Sequence, residues 1–120
     1  MIGFILRLGR SALEVWRRNR PELPWDRRYR AKLVEDLPDR LVRRRLYVVG
    51  EPACAHYAAM ACPRRRCATV LTMNLLPDDD PQWRLSIDRK GVPTLAPSVW
   101  RKVECRCHFF LRDGRIQWCK

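Results

Sequence analysis

Two pairs of side chains able to bind a soft metal stand about forty residues apart. Cys62-Pro-Arg-Arg-Arg-Cys67 is a C-x4-C pair, and Cys105-Arg-Cys107-His108 supplies a C-x2-H pair. Structural zinc takes four sulfur or nitrogen ligands in a tetrahedron, and two close-spaced pairs on two turns are the usual way to deliver them. The spacing therefore predicts a Zn2+ centre on Cys62, Cys67, Cys105 and His108, with Cys119 as the substitute ligand. A closed site of this kind would stabilise a module of about 75 residues, in which an apolar core alone is marginal. Cys54 and Cys107 read instead as small buried hydrophobes, and His56 as an ordinary strand or surface histidine. Arg64, Arg65 and Arg66 beside a thiol pair favour thiolates, which suits a metal and equally a reactive thiol.

The search for catalysis in linear motifs is negative. There is no G-x-S-x-G, no H-E-x-x-H, no P-loop and no Rossmann glycine pattern. Asp78, Asp79 and Asp80 are the clustered acids, and between two prolines they read as a solvated turn. A nucleophilic pair of Cys105 or Cys119 with His108 would compete for the residues that fit a metal site. The reading favours a metal-binding accessory module over an enzyme, with a nucleic-acid-binding protein and a metal- or thiol-dependent hydrolase as the alternatives.

The elements that must position these residues are strands. Leu46 to Val49, His56 to Cys62 and Val70 to Leu76 are strand-like runs bounded by turn signals, and Trp83, Leu85 and Ile87 alternate with polar residues. Arg89-Lys90-Gly91 suits a three-residue hairpin loop that sets Leu85 opposite Leu95. Asp113-Gly114 is a two-residue turn signal, so paired positions place Phe110 opposite Gln117 and His108 opposite Cys119. Phe109, Leu111, Ile116 and Trp118 then share the core face.

Before this module lies a different kind of sequence. Over residues 1–20 a helical arc gathers Ile5, Leu8, Ala12, Leu13 and Trp16, with Arg17 and Arg18 on the basic flank. The arc either packs on the rest of the domain or, as these seven residues, forms a docking face for a partner protein or an anionic membrane surface. Pro21 and Pro24 end that helix, and residues 21–45 read as a Pro- and Arg-rich linker with at most a weak helix from Arg27 to Leu37. The expected architecture is mostly β: a small zinc-stabilised antiparallel module of hairpins over residues 46–120, preceded by a basic amphipathic helix and linker over residues 1–45.

Composition limits the partners without choosing one. The 120 residues carry 25 Lys and Arg against 13 Asp and Glu, a net charge of +12, with arginine far outnumbering lysine. Such a charge suits acidic proteins, nucleic acid or anionic lipid, and Trp16, Trp25, Trp83, Trp100 and Trp118 are candidate stacking platforms for bases. A protein partner is the first expectation, with nucleic acid or membrane reached through the basic arm. No apolar run approaches the ~20 residues of a membrane span, and the start lacks the charge order of a signal peptide. The expected location is therefore the cytoplasm, where six cysteines are better read as ligands or reduced thiols than as disulfides.

Several motifs of the module are familiar in combination. They are Leu46-Tyr47-Val48-Val49-Gly50-Glu51, Cys62-Pro63 with Cys67, Asn74-Leu75-Leu76-Pro77, Pro81-Gln82-Trp83, Pro97-Ser98-Val99-Trp100-Arg101, Cys105-Arg106-Cys107-His108-Phe109-Phe110 and Gly114-Arg115-Ile116-Gln117-Trp118-Cys119. Over about residues 46–119 the chain closely resembles the bacterial domain-of-unknown-function family numbered 6527. That resemblance implies a small cysteine-rich, metal-binding protein. It also implies an accessory role around bacterial ubiquitin-like conjugation, with no established activity to carry over. Cys62, Cys67, Cys105, His108 and Cys119 fall on the family's Cys and His positions. The chain departs from the pattern in two places: Arg64, Arg65 and Arg66 replace a middle cysteine and glycine, and Cys107 stands where a small residue is usual.

Overall fold

The structure, a computed structural model, describes residues 26–119. Nine strands make three small sheets: β1 (Arg30–Val34), β2 (Arg45–Glu51), β3 (Cys54–Ala61) and β4 (Val70–Asn74) in the first, β5 (Arg84–Ile87) and β6 (Pro93–Ala96) in the second, and β7 (Val99–Trp100), β8 (His108–Arg112) and β9 (Arg115–Trp118) in the third. The expectation of a mostly β module holds. The amphipathic helix, with Ile5, Leu8, Ala12, Leu13, Trp16, Arg17 and Arg18, lies outside the described residues.

The burial pattern of each strand follows from its place. β2 is central in its sheet, and Leu46, Tyr47, Val48 and Val49 are all buried, as a strand covered on both faces requires. β4 is an edge strand that buries only Leu71 and Met73, in strict alternation. β5 departs from the simple alternation expected of it, because Ser86 is buried along with Leu85 and Ile87. Side chains from all three sheets meet in one core, including Leu46, Met60 and Met73 from the first, Leu95 from the second, and Phe109 and Leu111 from the third.

Two hairpins form in the register that their turn residues dictate. Leu85 pairs with Leu95 and Phe110 with Gln117. At the second turn both Asp113 and Gly114 have positive φ (50° and 72°), the combination that a two-residue loop needs to match strand twist. Gly114 has a further reason to be glycine, since a Cβ there would stand 2.7 Å from Val92 Cγ1 and 2.8 Å from Arg28 Cβ.

The stretch read as a linker contributes a strand instead. β1 pairs with β2 in parallel, so the sheet is not purely antiparallel, and there is no helix between Arg27 and Leu37. The segment also ties the other sheets in: the Tyr29 amide donates to Gly114 O at 2.7 Å, and the Ala31 amide to Gly91 O at 2.8 Å. Both hairpin turns thereby dock on residues 29–31, at the start of β1. Asp26 accepts from Arg28 Nη2 at 3.0 Å and Arg30 Nη2 at 2.8 Å at its start, and these guanidinium hydrogen bonds hold its carboxyl far below the usual range.

Among the described residues no helix is long and apolar enough to cross a membrane.

Candidate active site

The seven residues between β7 and β8, 101–107, carry two thiols and end at His108. β7 and β8 are antiparallel with Trp100 opposite His108, and the Arg101 amide donates to Cys107 O at 2.8 Å. Strand pleat then sends successive residues to opposite sides. Cys107 is fully buried, whereas His108 lies half-buried on the other face.

On the buried side Cys62, Cys67 and Cys105 bring their sulfurs within 4.8 Å of one another, close enough to hold a metal ion. Cys105 Sγ is 3.9 Å from Cys62 Sγ, and Cys107, outside this group of three, touches it through Cys62, the two Sγ atoms 2.7 Å apart. Sulfurs at two corners of a tetrahedral centre with bonds of 2.3 Å stand about 3.8 Å apart; the Cys62–Cys105 separation matches that spacing, whereas Cys62 and Cys107 stand closer than it. The backbone is arranged for sulfur anions as well. The Arg64 amide donates to Cys62 and the Cys107 amide to Cys105, the same i to i+2 relation in both turns. Positive φ at Arg66, Glu104 and Arg106 closes these turns. Arg64 links them, its Nη1 donating to Cys105 O at 3.0 Å.

The thiols differ in how readily they ionise. Burial, reinforced by the hydrogen bond from Cys107, raises Cys62 far above the usual thiol range, and burial also raises Cys107. Burial works against the Cys105 thiolate too. There, hydrogen bonds from the Cys107 amide and thiol and from the Cys67 and Cys62 thiols outweigh it and bring the group down to about 7. A thiolate is therefore easy at Cys105 and costly at Cys62 and Cys107, an electrostatic setting that a divalent cation relieves.

His108 and Cys119 stand outside this group. The hairpin brings Cys119 beside His108, its amide donating to His108 O at 2.9 Å, but neither side chain belongs to the close sulfur cluster. The C-x2-H spacing places His108 near the cysteines in sequence, and the pleat turns it away. Cys107 has the inward parity expected of it, and inward is where the other thiols are. Cys54, expected buried, is exposed at the start of β3, and His56 is exposed in the same strand. Trp118, expected on the core face, is 47% exposed because β9 is an edge strand, and Arg64 lies over its ring.

On the other face His108 Nε2 is 2.9 Å from Ser98 Oγ. Ser98 lies in the Pro97-Ser98-Val99-Trp100-Arg101 motif but in no catalytic sequence pattern. It directly precedes β7, where the Trp83 indole Nε1–H donates to its carbonyl oxygen at 3.3 Å and fixes the main chain beneath it. The His108 ring is stacked on Trp100, with centroids 4.7 Å apart and planes 15° from parallel. A hydroxyl within hydrogen-bond reach of an imidazole is the pair needed to activate a serine nucleophile.

The family model described as "Bacterial ubiquitination-like system serine protease (BubE)" matches residues 33–119. The chain belongs to the BubE family. That membership links it to a bacterial ubiquitination-like system, the association that the sequence motifs had implied, under the BubE description rather than the numbered family. The BubE match spans β2 to β9, so both the thiol cluster and the Ser98–His108 pair lie inside it. A ubiquitination-like system implies protein partners. No curated protein and no solved structure matches the chain.

Proposed function

We propose that this chain is a serine-dependent protease of a bacterial ubiquitination-like system, with Ser98 as nucleophile and His108 as general base. The 2.9 Å contact between Ser98 Oγ and His108 Nε2, inside the segment matched by the BubE model, carries this reading. As Ser98 Oγ bonds to the carbonyl carbon of an amide, its proton passes to His108 Nε2. Collapse breaks the C–N bond, and His108 hands that proton to the departing nitrogen. Water then attacks the Ser98 ester and gives a proton to His108. When the C–Oγ bond breaks, that proton returns to Ser98 Oγ and the carboxylic acid leaves.

The thiol cluster supports this site from behind. Cys62, Cys67, Cys105 and Cys107 would hold one Zn2+, with Cys107 taking the place that spacing gave to His108 and Cys119. Four protein ligands make a closed, structural centre, and the ion supplies charge neutralisation and cross-linking. Its accessory role is to fix the 101–107 connection between Trp100 and His108.

A fluorophosphonate probe tests the proposal, because it reports an activated serine without a known substrate. The expected result is a single adduct, mapped to Ser98 by peptide mass spectrometry and absent from Ser98→Ala. A wild-type protein that is folded and stays unlabelled overturns it.

A further inference from the structure

The structure assigns Trp100 a positioning role: its indole face, stacked on the His108 imidazole, aims Nε2 at Ser98 Oγ. This inference rests on the serine–histidine reading above and adds to it the group that orients the base. In serine hydrolases of the triad type a carboxylate holds the histidine in place. Among the described residues no carboxylate is hydrogen-bonded to His108; its side-chain partners are the Ser98 hydroxyl and the Trp100 ring.

Three observations converge on the indole. Trp100 and His108 are directly opposed across β7 and β8, the position in which cross-strand side chains touch most closely. The planes lie 15° from parallel, so the imidazole meets a flat wall and its rotation about Cβ–Cγ is restricted. Trp100 is 55% exposed, which removes core filling as the reason for a large aromatic ring there. Lys102 Nζ, 4.7 Å from the same ring centroid, packs on the indole and holds it at the surface. The Ser98 side of the pair is fixed independently, through the Trp83 hydrogen bond to the Ser98 carbonyl. The base therefore owes its aim to a stacked ring and the nucleophile owes its place to a hydrogen-bonded one.

The test compares inactivation of wild type, Trp100→Phe and Trp100→Leu by a fluorophosphonate, separating the maximal rate kinact from the binding constant KI. Leucine keeps apolar bulk and removes the flat face. The expected result is that Trp100→Leu lowers kinact about tenfold or more with little change in KI, since small losses of alignment carry large rate costs. Trp100→Phe restores kinact to within about threefold of wild type, as a second flat ring should. Proton NMR supplies a reading that does not depend on rate. The His108 ring protons are shifted upfield by the stacked indole in wild type and in Trp100→Phe, and that shift is lost in Trp100→Leu. Labelling of Trp100→Leu at the wild-type rate, or equal losses in the leucine and phenylalanine variants, overturns the positioning role and leaves Ser98 and His108 in place. Absence of any Ser98 adduct in wild type instead overturns the serine–histidine reading itself.

Discussion

Cys107 and His108 are joined by one peptide bond and live in different chemical worlds. Cys107 is sealed among thiols, where burial opposes its charge. His108 is half-buried beside a serine hydroxyl and an exposed indole. The contrast follows from strand pleat, which sends neighbours to opposite faces. Under the proposed function it also divides the labour: the buried face would build a scaffold and the outer face would carry the chemistry.

The largest effects should come from attacking the buried face. Cys107→Ser and Cys62→Ser are expected to lose the metal and most of the fold's thermal stability, as should chelation of the wild type. Structural zinc contributes an apparent ~10–16 kcal/mol in small domains, comparable with or above the whole net stability of a domain. Elemental analysis and thermal unfolding check this. His108→Ala should retain close to one metal per chain, and a metal-free His108→Ala protein would return that residue to the ligand set.

Next in size is the outer face. His108→Ala should slow fluorophosphonate labelling of Ser98 about 10²–10⁴-fold, the range for losing a general base, while the melting temperature stays near that of wild type. Equal losses of rate and stability would mean that the two faces are not separable. Trp83→Phe probes the support of the nucleophile. Removing the Nε1–H donor to Ser98 O is worth roughly 1 kcal/mol, or about fivefold in labelling rate.

The smallest effect, and a control remote from both faces, is at Asp26. Hydrogen bonds from the Arg28 and Arg30 guanidiniums depress its folded-state pKa below the ordinary 3.8. A depressed carboxylate stabilises the fold above its unfolded pKa, and that contribution fades as pH falls toward the folded value. Asp26→Asn should thus be slightly less stable than wild type at neutral pH, and the two should converge as pH drops below about 4. Melting curves from neutral to acid pH check the sign.

Much of the β module is legible in the sequence because its signals are local. Turn chemistry at Asp113-Gly114 and Arg89-Lys90-Gly91 dictates two hairpin registers, and both appear in the structure. Alternation places Phe109 and Leu111 in the core. What escapes is non-local. β1 is a short, charged run whose partner is a parallel strand beyond a loop, so no turn rule reaches it. Ser98 meets His108 across the irregular 101–107 connection, where neither loop length nor parity predicts register. The thiol cluster is legible in part: spacing picks out Cys62, Cys67 and Cys105, which the fold brings together, while His108 lies on the other face and it is Cys107 that touches Cys62.

Asn74 closes the path from a distant loop to Ser98. Its carboxamide Nδ2 donates to the carbonyls of Leu76, Asp79 and Pro81, and its main-chain carbonyl accepts from the Trp83 amide at 2.9 Å. The loop is cinched at its neck, so its exposed tip is decoupled from the strands while its base grips Ser98 through Trp83. For protein engineering this defines an insertion site: a fluorophore-bearing peptide spliced between Pro77 and Asp78 would sit outside every strand, one clamp away from Ser98.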